Sequence, residues 1–268
     1  MDPFALIITF LAVALLGLAI GVLSGMFGVG GGAMMVPFLH LVFAMPMLNA
    51  SSTSLFAVAP TSLAGAVGHL RRGTVDVRAA LSFGLPGALA SALSAFLTNM
   101  LSENVILVAA VLVIAYCAWR VFAEALKKPI DAEGRTSANR IANPRLNLLV
   151  CIGIGLLAGF IAGIVGVGGG FIIVPFGIGL LGKTMKEMSA ISLLAIACIA
   201  LPGIIVHAIL LHIWYFYGIA MIVGTIPGAS IGVWLLPRIP ERILRYAYGC
   251  LLVFSGIMLI VNKVAFKA

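Results

Sequence analysis

The sequence predicts an all-α membrane protein: two inverted repeats of about five helical segments each, with short broken or re-entrant helices after glycine-rich turns. Three observations carry that expectation. Apolar runs of about 20 residues follow one another almost without pause, the length an α-helix needs to cross a hydrocarbon core. A glycine-dense motif occurs twice at one spacing, and the basic residues sit in the short stretches between apolar runs.

Composition excludes the soluble classes. Of 268 residues, 63% are hydrophobic and only 9% charged, with a mean hydropathy of +1.23, so there is too little polar surface to coat a water-soluble core. The lipid bilayer is therefore the expected surrounding. The formal net charge of +8 lies in inter-segment loops, the pattern of a membrane protein's cytoplasmic side, and no nucleic-acid partner is expected. The first apolar run opens with Met1-Asp2-Pro3 instead of a basic leader, and it is long for a signal peptide, so it reads as a retained span.

Cys117, Cys151, Cys198 and Cys250 fall singly inside apolar runs, without a C-x-x-C pair, and read as small packing residues; no metal site is expected. H-E-x-x-H, G-x-S-x-G and Walker A motifs are missing, so the chain reads as a non-enzyme without a cofactor. Gly153-Ile154-Gly155-Leu156-Leu157-Ala158 fits a dinucleotide fingerprint by letters only, because it lies inside an apolar run with no strand before it.

The duplication is the firmest feature. Residues 25–38 read GMFGVGGGAMMVPF and residues 163–176 read GIVGVGGGFIIVPF, an offset of 138. The same offset carries Gly17 and Gly21 onto Gly155 and Gly159, Ser51 and Ser54 onto Ser189 and Ser192, His69 onto His207, and Glu103 onto Glu241. A three-residue slip is expected where Pro86-Gly87-Ala88 aligns with Pro227-Gly228-Ala229.

The chain divides into a first membrane repeat over residues 1–126, a polar cytoplasmic linker over 127–145, and a second membrane repeat over 146–268. Apolar segments are expected near 4–24, 32–45, 49–70, 77–99 and 103–125, then near 146–163, 170–182, 187–210, 213–236 and 241–262. The second segment of each half is short and either crosses a thin place or starts partway through the bilayer. Loop charge sets relative orientation. Arg71, Arg72 and Arg78 follow the third segment of the first half, whereas Arg238, Arg242 and Arg245 follow the fourth segment of the second, and Lys183 and Lys186 precede its third. Corresponding loops therefore belong on opposite sides, which five crossings per half would produce. The terminal Lys263 and Lys267 would then lie outside, against the rule.

The glycine runs Gly28-Val29-Gly30-Gly31-Gly32 and Gly166-Val167-Gly168-Gly169-Gly170 are poor helix, since each glycine costs about 1 kcal/mol relative to alanine. Non-helical backbone at membrane depth survives only when buried in protein or lining a cavity. Bare amides followed by a helix N-terminus suit an anion, so Gly28, Gly30, Gly31, Gly32, Gly166, Gly168, Gly169 and Gly170 are the expected substrate-binding backbone. By contrast, G-x-x-x-G spacing assigns Gly17, Gly21, Gly25, Gly155, Gly159 and Gly163 to helix packing. Ser51, Ser54, Ser189 and Ser192 either line a polar path, the reading adopted, or cap helices. His69 and His207 are either interfacial hydrogen-bonding groups or proton carriers. Glu187 is expected in a surface ion pair with Lys183 or Lys186.

The paired G-x-x-G-V-G-G-G-x-x-x-V-P motifs at residues 25–37 and 163–175, together with residues 65–76, read as G-x-x-x-H-x-x-x-G-x-V-D, resemble the TauE/SafE sulfite exporter family over nearly the whole chain. The resemblance implies a multi-pass permease of the bacterial inner membrane that exports sulfite or a small organosulfonate. After His207 the second half departs from the pattern, with His212-Ile213-Trp214-Tyr215 where Gly-x-Val-Asp is expected. The leading expectation is a secondary transporter whose partner is a small sulfur-containing anion, with a proton accompanying it through His69 or His207. A passive anion channel and a non-transporting accessory subunit are the alternatives, and a homo-oligomer is left open.

Overall fold

A computed structural model describes residues 3–127 and 144–265. The greater part of the expected linker lies outside the described residues. Among those described are ten α-helices: α1 (Pro3–Phe27), α2 (Gly32–Val42), α3 (Met47–Arg71), α4 (Val77–Leu97), α5 (Glu103–Lys127), α6 (Pro144–Val165), α7 (Gly170–Leu181), α8 (Met185–Ile209), α9 (Tyr215–Leu235) and α10 (Glu241–Ala265). Short 3-10 turns follow α4 and α9.

The bounds of α3, α4 and α5 recur in α8, α9 and α10 at an offset of 138 without interruption. This overturns the three-residue slip. Pro86 and Pro227 occupy different registers of equivalent continuous helices, and the shared Pro-Gly-Ala triplet is a coincidence of composition. A slip inside a helix would rotate every later side chain onto another face, and neither helix carries the bulge that would absorb it.

Glycine faces determine which helices touch. Along α1 and α9, a Cβ added at Gly17 would lie 2.8 Å from the Met221 carbonyl oxygen, one at Gly21 2.5 Å from that of Thr225, and one at Gly25 would strike Ala229. The same contact recurs between α6 and α4, where Gly155, Gly159 and Gly163 abut the backbone at Phe83, Gly87 and Ser91. Small residues at four-residue spacing let these helix pairs run parallel with their backbones touching, so dispersion contacts replace the hydrophobic drive that lipid removes.

Two ends of the bundle can be told apart. At one end the last turn of α3 meets the N-terminus of α8 and the end of α9: Arg72 Nη1 donates to the Val233 carbonyl at 2.7 Å and Lys186 Nζ to that of Pro237 at 3.1 Å. At the other end, Asn49 Nδ2 donates to the His212 carbonyl at 2.9 Å and the Trp214 amide to Thr53 Oγ1 at 3.0 Å. α3 and α8, equivalent by sequence, therefore run antiparallel. The first end holds Arg71, Arg72, Arg78, Lys183, Lys186, Arg238, Arg242 and Arg245, and the second holds Glu103.

α2 and α7 are too short to cross a hydrocarbon core of roughly 30 Å on their own. The 11 residues of α2 rise only about 16 Å. Gly30, just before α2, packs on Val58 and Ser62 midway along α3, and four residues after α2 the chain begins α3. α1 and α2 thus form a hairpin that enters from the end where α3 starts. α6 and α7 form its counterpart from the basic end, where Lys183 pairs with Asp76 at 3.2 Å.

Among the described residues seven helices are long and apolar enough to cross a membrane. α3 is long but carries Asn49, Ser51, Ser52, Thr53 and Ser54, and its serines and threonine turn inward, fully buried. Outward-facing Leu85, Leu89 and Leu93 on α4, with Leu112 and Trp119 on α5, give the bundle an apolar exterior suited to lipid. The chain is a multi-pass membrane protein.

Candidate functional site at the paired glycine turns

The two glycine turns meet at the centre of the bundle. Gly28, Gly30 and Gly31 have φ of 71°, 79° and 82°, and Gly166, Gly168 and Gly169 have 74°, 83° and 77°. This left-handed run disfavours any side chain with a Cβ, which explains why both halves carry glycine at these positions. A Cβ at Gly32 would lie 2.6 Å from the Val167 carbonyl, and one at Gly170 2.9 Å from the Val29 Cα. The first residues of α2 and α7 are thus pressed against the opposite turn, and two helix N-termini converge. Each bears a partial positive charge and amides that have no intrahelical acceptor.

Each half fastens the other's turn. Ser54 Oγ, on α3, donates to the Gly166 carbonyl at 3.1 Å, and Ser192 Oγ, on α8, to the Gly28 carbonyl at 2.7 Å. Ser51 and Ser189 reach the carbonyls of Ile164 and Gly25 at 3.1 and 3.5 Å. All four expected serines sit at the turns, and their hydroxyl protons bond backbone carbonyls of the opposite half.

Two residues that sequence reasoning did not single out stand beside the first turn. Ser24 and Ser62 are buried, and neither hydroxyl has a hydrogen-bond partner. Ser62 Oγ would lie 2.9 Å from a Cβ on Gly30, and the Ser24 Cβ 3.5 Å from one on Gly31. Their positions in the second half hold Ala162 and Ala200. A buried hydroxyl with no partner is destabilising; Ser91 Oγ and Tyr248 Oη are also buried without one, but Ser24 and Ser62 are the two serines that lie against the glycines of the first turn.

The histidines lie at opposite ends. His207 is fully buried, with Nε2 3.2 Å from the Gly163 carbonyl and Nδ1 3.1 Å from Ser52 Oγ. A carbonyl only accepts, so Nε2 carries a hydrogen. Ser52 Oγ also lies 2.7 Å from the Leu48 carbonyl. The hydroxyl can donate to a neutral Nδ1, or accept from a protonated one while donating to Leu48, so both charge states are hydrogen-bonded. The His212 ring stands 5.8 Å from that of His207, and burial holds its pKa below the ordinary value. His69 Nδ1 lies 3.0 Å from Thr74 Oγ1, and its Nε2 is buried without a partner.

Glu187 corrects an expectation. It forms a capping box with Thr184, accepting from the Thr184 amide at 2.8 Å and Oγ1 at 3.1 Å. Lys183 instead pairs with Asp76, whose carboxyl is held below its usual range by the Ala79 amide first and by Lys183 as well. The helix start at Thr184 leaves orphan amides that the carboxylate satisfies better than an exposed lysine could. Among the described residues no group of His, Cys, Asp or Glu is arranged to hold a metal ion.

The chain resembles several proteins named as probable membrane transporters. YunE of Bacillus subtilis is 25% identical, covering 93% of this chain and 99% of that protein. A protein of Xylella fastidiosa strain Temecula1 is 29% identical over 96% and 95%. One from Methanocaldococcus jannaschii is 24% identical over 92% and 93%. No solved structure matches. The family described as sulfite exporter TauE/SafE matches residues 13–259, nearly the whole bundle, including both glycine turns and both hairpins. The chain belongs to this family of membrane transporters.

Proposed function

We propose that the chain is a secondary transporter that exports a small sulfur-containing anion, such as sulfite or an organosulfonate, across the bacterial inner membrane, with a proton as the coupling ion. The observation that carries this reading is the convergence of the α2 and α7 N-termini at the bundle centre. Two positive dipole ends brought together repel, and an anion between them turns that repulsion into attraction. The unpartnered hydroxyls of Ser24 and Ser62 supply donors on one side of the turns. Amides of Gly30, Gly31, Gly32, Gly168, Gly169 and Gly170 supply the rest, as the turns part to admit the ion.

Antiparallel α3 and α8 and the two opposed hairpins support an inverted-repeat transporter, in which one half rocks against the other around a fixed central site. With the basic end in the cytoplasm, each half makes three complete crossings and one hairpin. His207 can be hydrogen-bonded in both charge states, which suits it to carry the proton, and His69 holds the matching position at the cytoplasmic end.

The test is uptake by proteoliposomes of sulfite, thiosulfate, sulfoacetate and taurine, each with and without an imposed pH gradient. The reading expects saturable flux of at least one sulfur anion that responds to the gradient. Flux of none of them overturns it.

A further inference from the structure

A cavity lies away from the glycine turns, at the basic end. It encloses about 380 Å³ between the end of α3, the start of α8 and the 3-10 turn after α9. His69, Arg72, Thr74 and Lys186 line it, and so does Glu187, whose carboxylate is occupied by the cap of α8. Among the described residues neither Arg72 nor Lys186 forms an ion pair. Each spends a hydrogen bond on a backbone carbonyl, at Val233 and Pro237, which fixes the side chain without neutralising it. His69 is 4% exposed, and its Nε2 has no partner.

We propose that this cavity is an oxyanion-binding vestibule, in which Arg72 and Lys186 attract the anion and His69 Nε2 hydrogen-bonds to it. The inference rests on the transport reading for its place on a route, but not for the binding itself. A charged nitrogen with free N–H groups and no ion pair is stabilised by an anionic oxygen, and two such nitrogens line one cavity with a buried imidazole nitrogen that has nothing to bond, against the single negative charge of the capped Glu187. The second half does not repeat the arrangement. There His207 has partners on both nitrogens, and the position of Arg72 is taken by Leu210. The vestibule therefore serves one face of the membrane only. An exporter needs this on its cytoplasmic side, where a capture site raises the local concentration of a dilute anion before the central turns part.

The same chemistry is offered by a free oxyanion and by a lipid headgroup phosphate, and two measurements separate them. Equilibrium binding of radiolabelled sulfite is measured on protein in nanodiscs of purely zwitterionic lipid. Retention of phosphatidylglycerol is measured by native mass spectrometry. Arg72→Gln and Lys186→Gln should each weaken the ligand by about tenfold, with melting temperature unchanged, whereas Arg72→Lys should hold most of the affinity. Sulfite binding that follows this order identifies a free anion as the ligand; phosphatidylglycerol retention that follows it, without sulfite binding, identifies a headgroup. If neither ligand responds to the two neutralising variants, the vestibule is overturned. Charge-sensitive binding in a protein that transports nothing leaves the vestibule standing and removes only the transport reading. Normal flux with charge-insensitive binding does the reverse.

Discussion

The hydroxyl of Ser192, on α8, donates to the carbonyl of Gly28, at the turn between α1 and α2, over 2.7 Å. Its sequence counterpart, Ser54, donates to Gly166 at 3.1 Å, so each half of the duplicated chain holds the non-helical backbone of the other. Ser192→Ala or Ser54→Ala leaves a buried carbonyl without its partner. Each should lower stability by about 1 kcal/mol, typical of hydrogen bonds inside membrane bundles. Thermal unfolding in detergent measures it, and equal losses from the two variants would show that the halves depend on each other symmetrically.

Two residues adopt a left-handed backbone where the sister repeat has glycine. Ala44 has φ 48° opposite Gly182 at 62°, and Leu211 has φ 57° opposite Gly73 at 66°. The fold retained the turn while the residue changed. A non-glycine residue there costs about 1–2 kcal/mol, against about 0.5–1 kcal/mol for glycine's extra freedom in the unfolded chain. Leu211, 81% exposed, contributes little packing. Leu211→Gly should therefore raise the melting temperature. Gly73→Ala should lower it, although an added Cβ there meets nothing within 4 Å.

Membrane sidedness follows from the two ends of the bundle. A cysteine replacing Arg72 should be shielded from an impermeant thiol reagent applied outside intact cells, and one replacing His212 should be labelled. Labelling of both positions, or of neither, would contradict opposite placement of the two loops.

Proton coupling is tested at the histidines. His207→Gln should flatten the dependence of transport between about pH 5 and 8, while leaving the protein folded, because glutamine can still donate to the Gly163 carbonyl. His69→Gln, at the basic end, should do the same. Unchanged pH dependence in the double variant would return both residues to structural roles.

Much of this architecture could be read from the sequence. Hydrophobic run length marked the spans, and a fixed offset of Gly, Ser and His positions marked the duplication. The glycine runs announced non-helical backbone because few other residues tolerate it. The serines were legible as recurring residues but not as fasteners, because the bond from Ser54 to Gly166 spans 112 residues and exists only once the halves pack. Ser24 and Ser62 could not be noticed alone, since serine on an apolar helix usually bonds the preceding turn. Comparison with Ala162 and Ala200 was the one available signal, and it acquires meaning only beside the turn. Glu187 misled because two lysines close in sequence invite an ion pair, whereas helix geometry gives its carboxylate to the Thr184 cap.

The proposed meeting of an anion with the two glycine turns draws on the unpartnered hydroxyl of Ser62. The measurement is sulfite counterflow in proteoliposomes, comparing the native protein with Ser62→Ala, the residue found at the equivalent position of the second half. A carrier accumulates external labelled sulfite transiently in vesicles loaded with unlabelled sulfite. Ser62→Ala should keep that overshoot but raise half-saturation by about tenfold, the loss of one buried donor to an anion, while its melting temperature holds or rises because an unpartnered hydroxyl is gone. An overshoot with unchanged half-saturation in Ser62→Ala, or no overshoot in the native protein, would contradict the account.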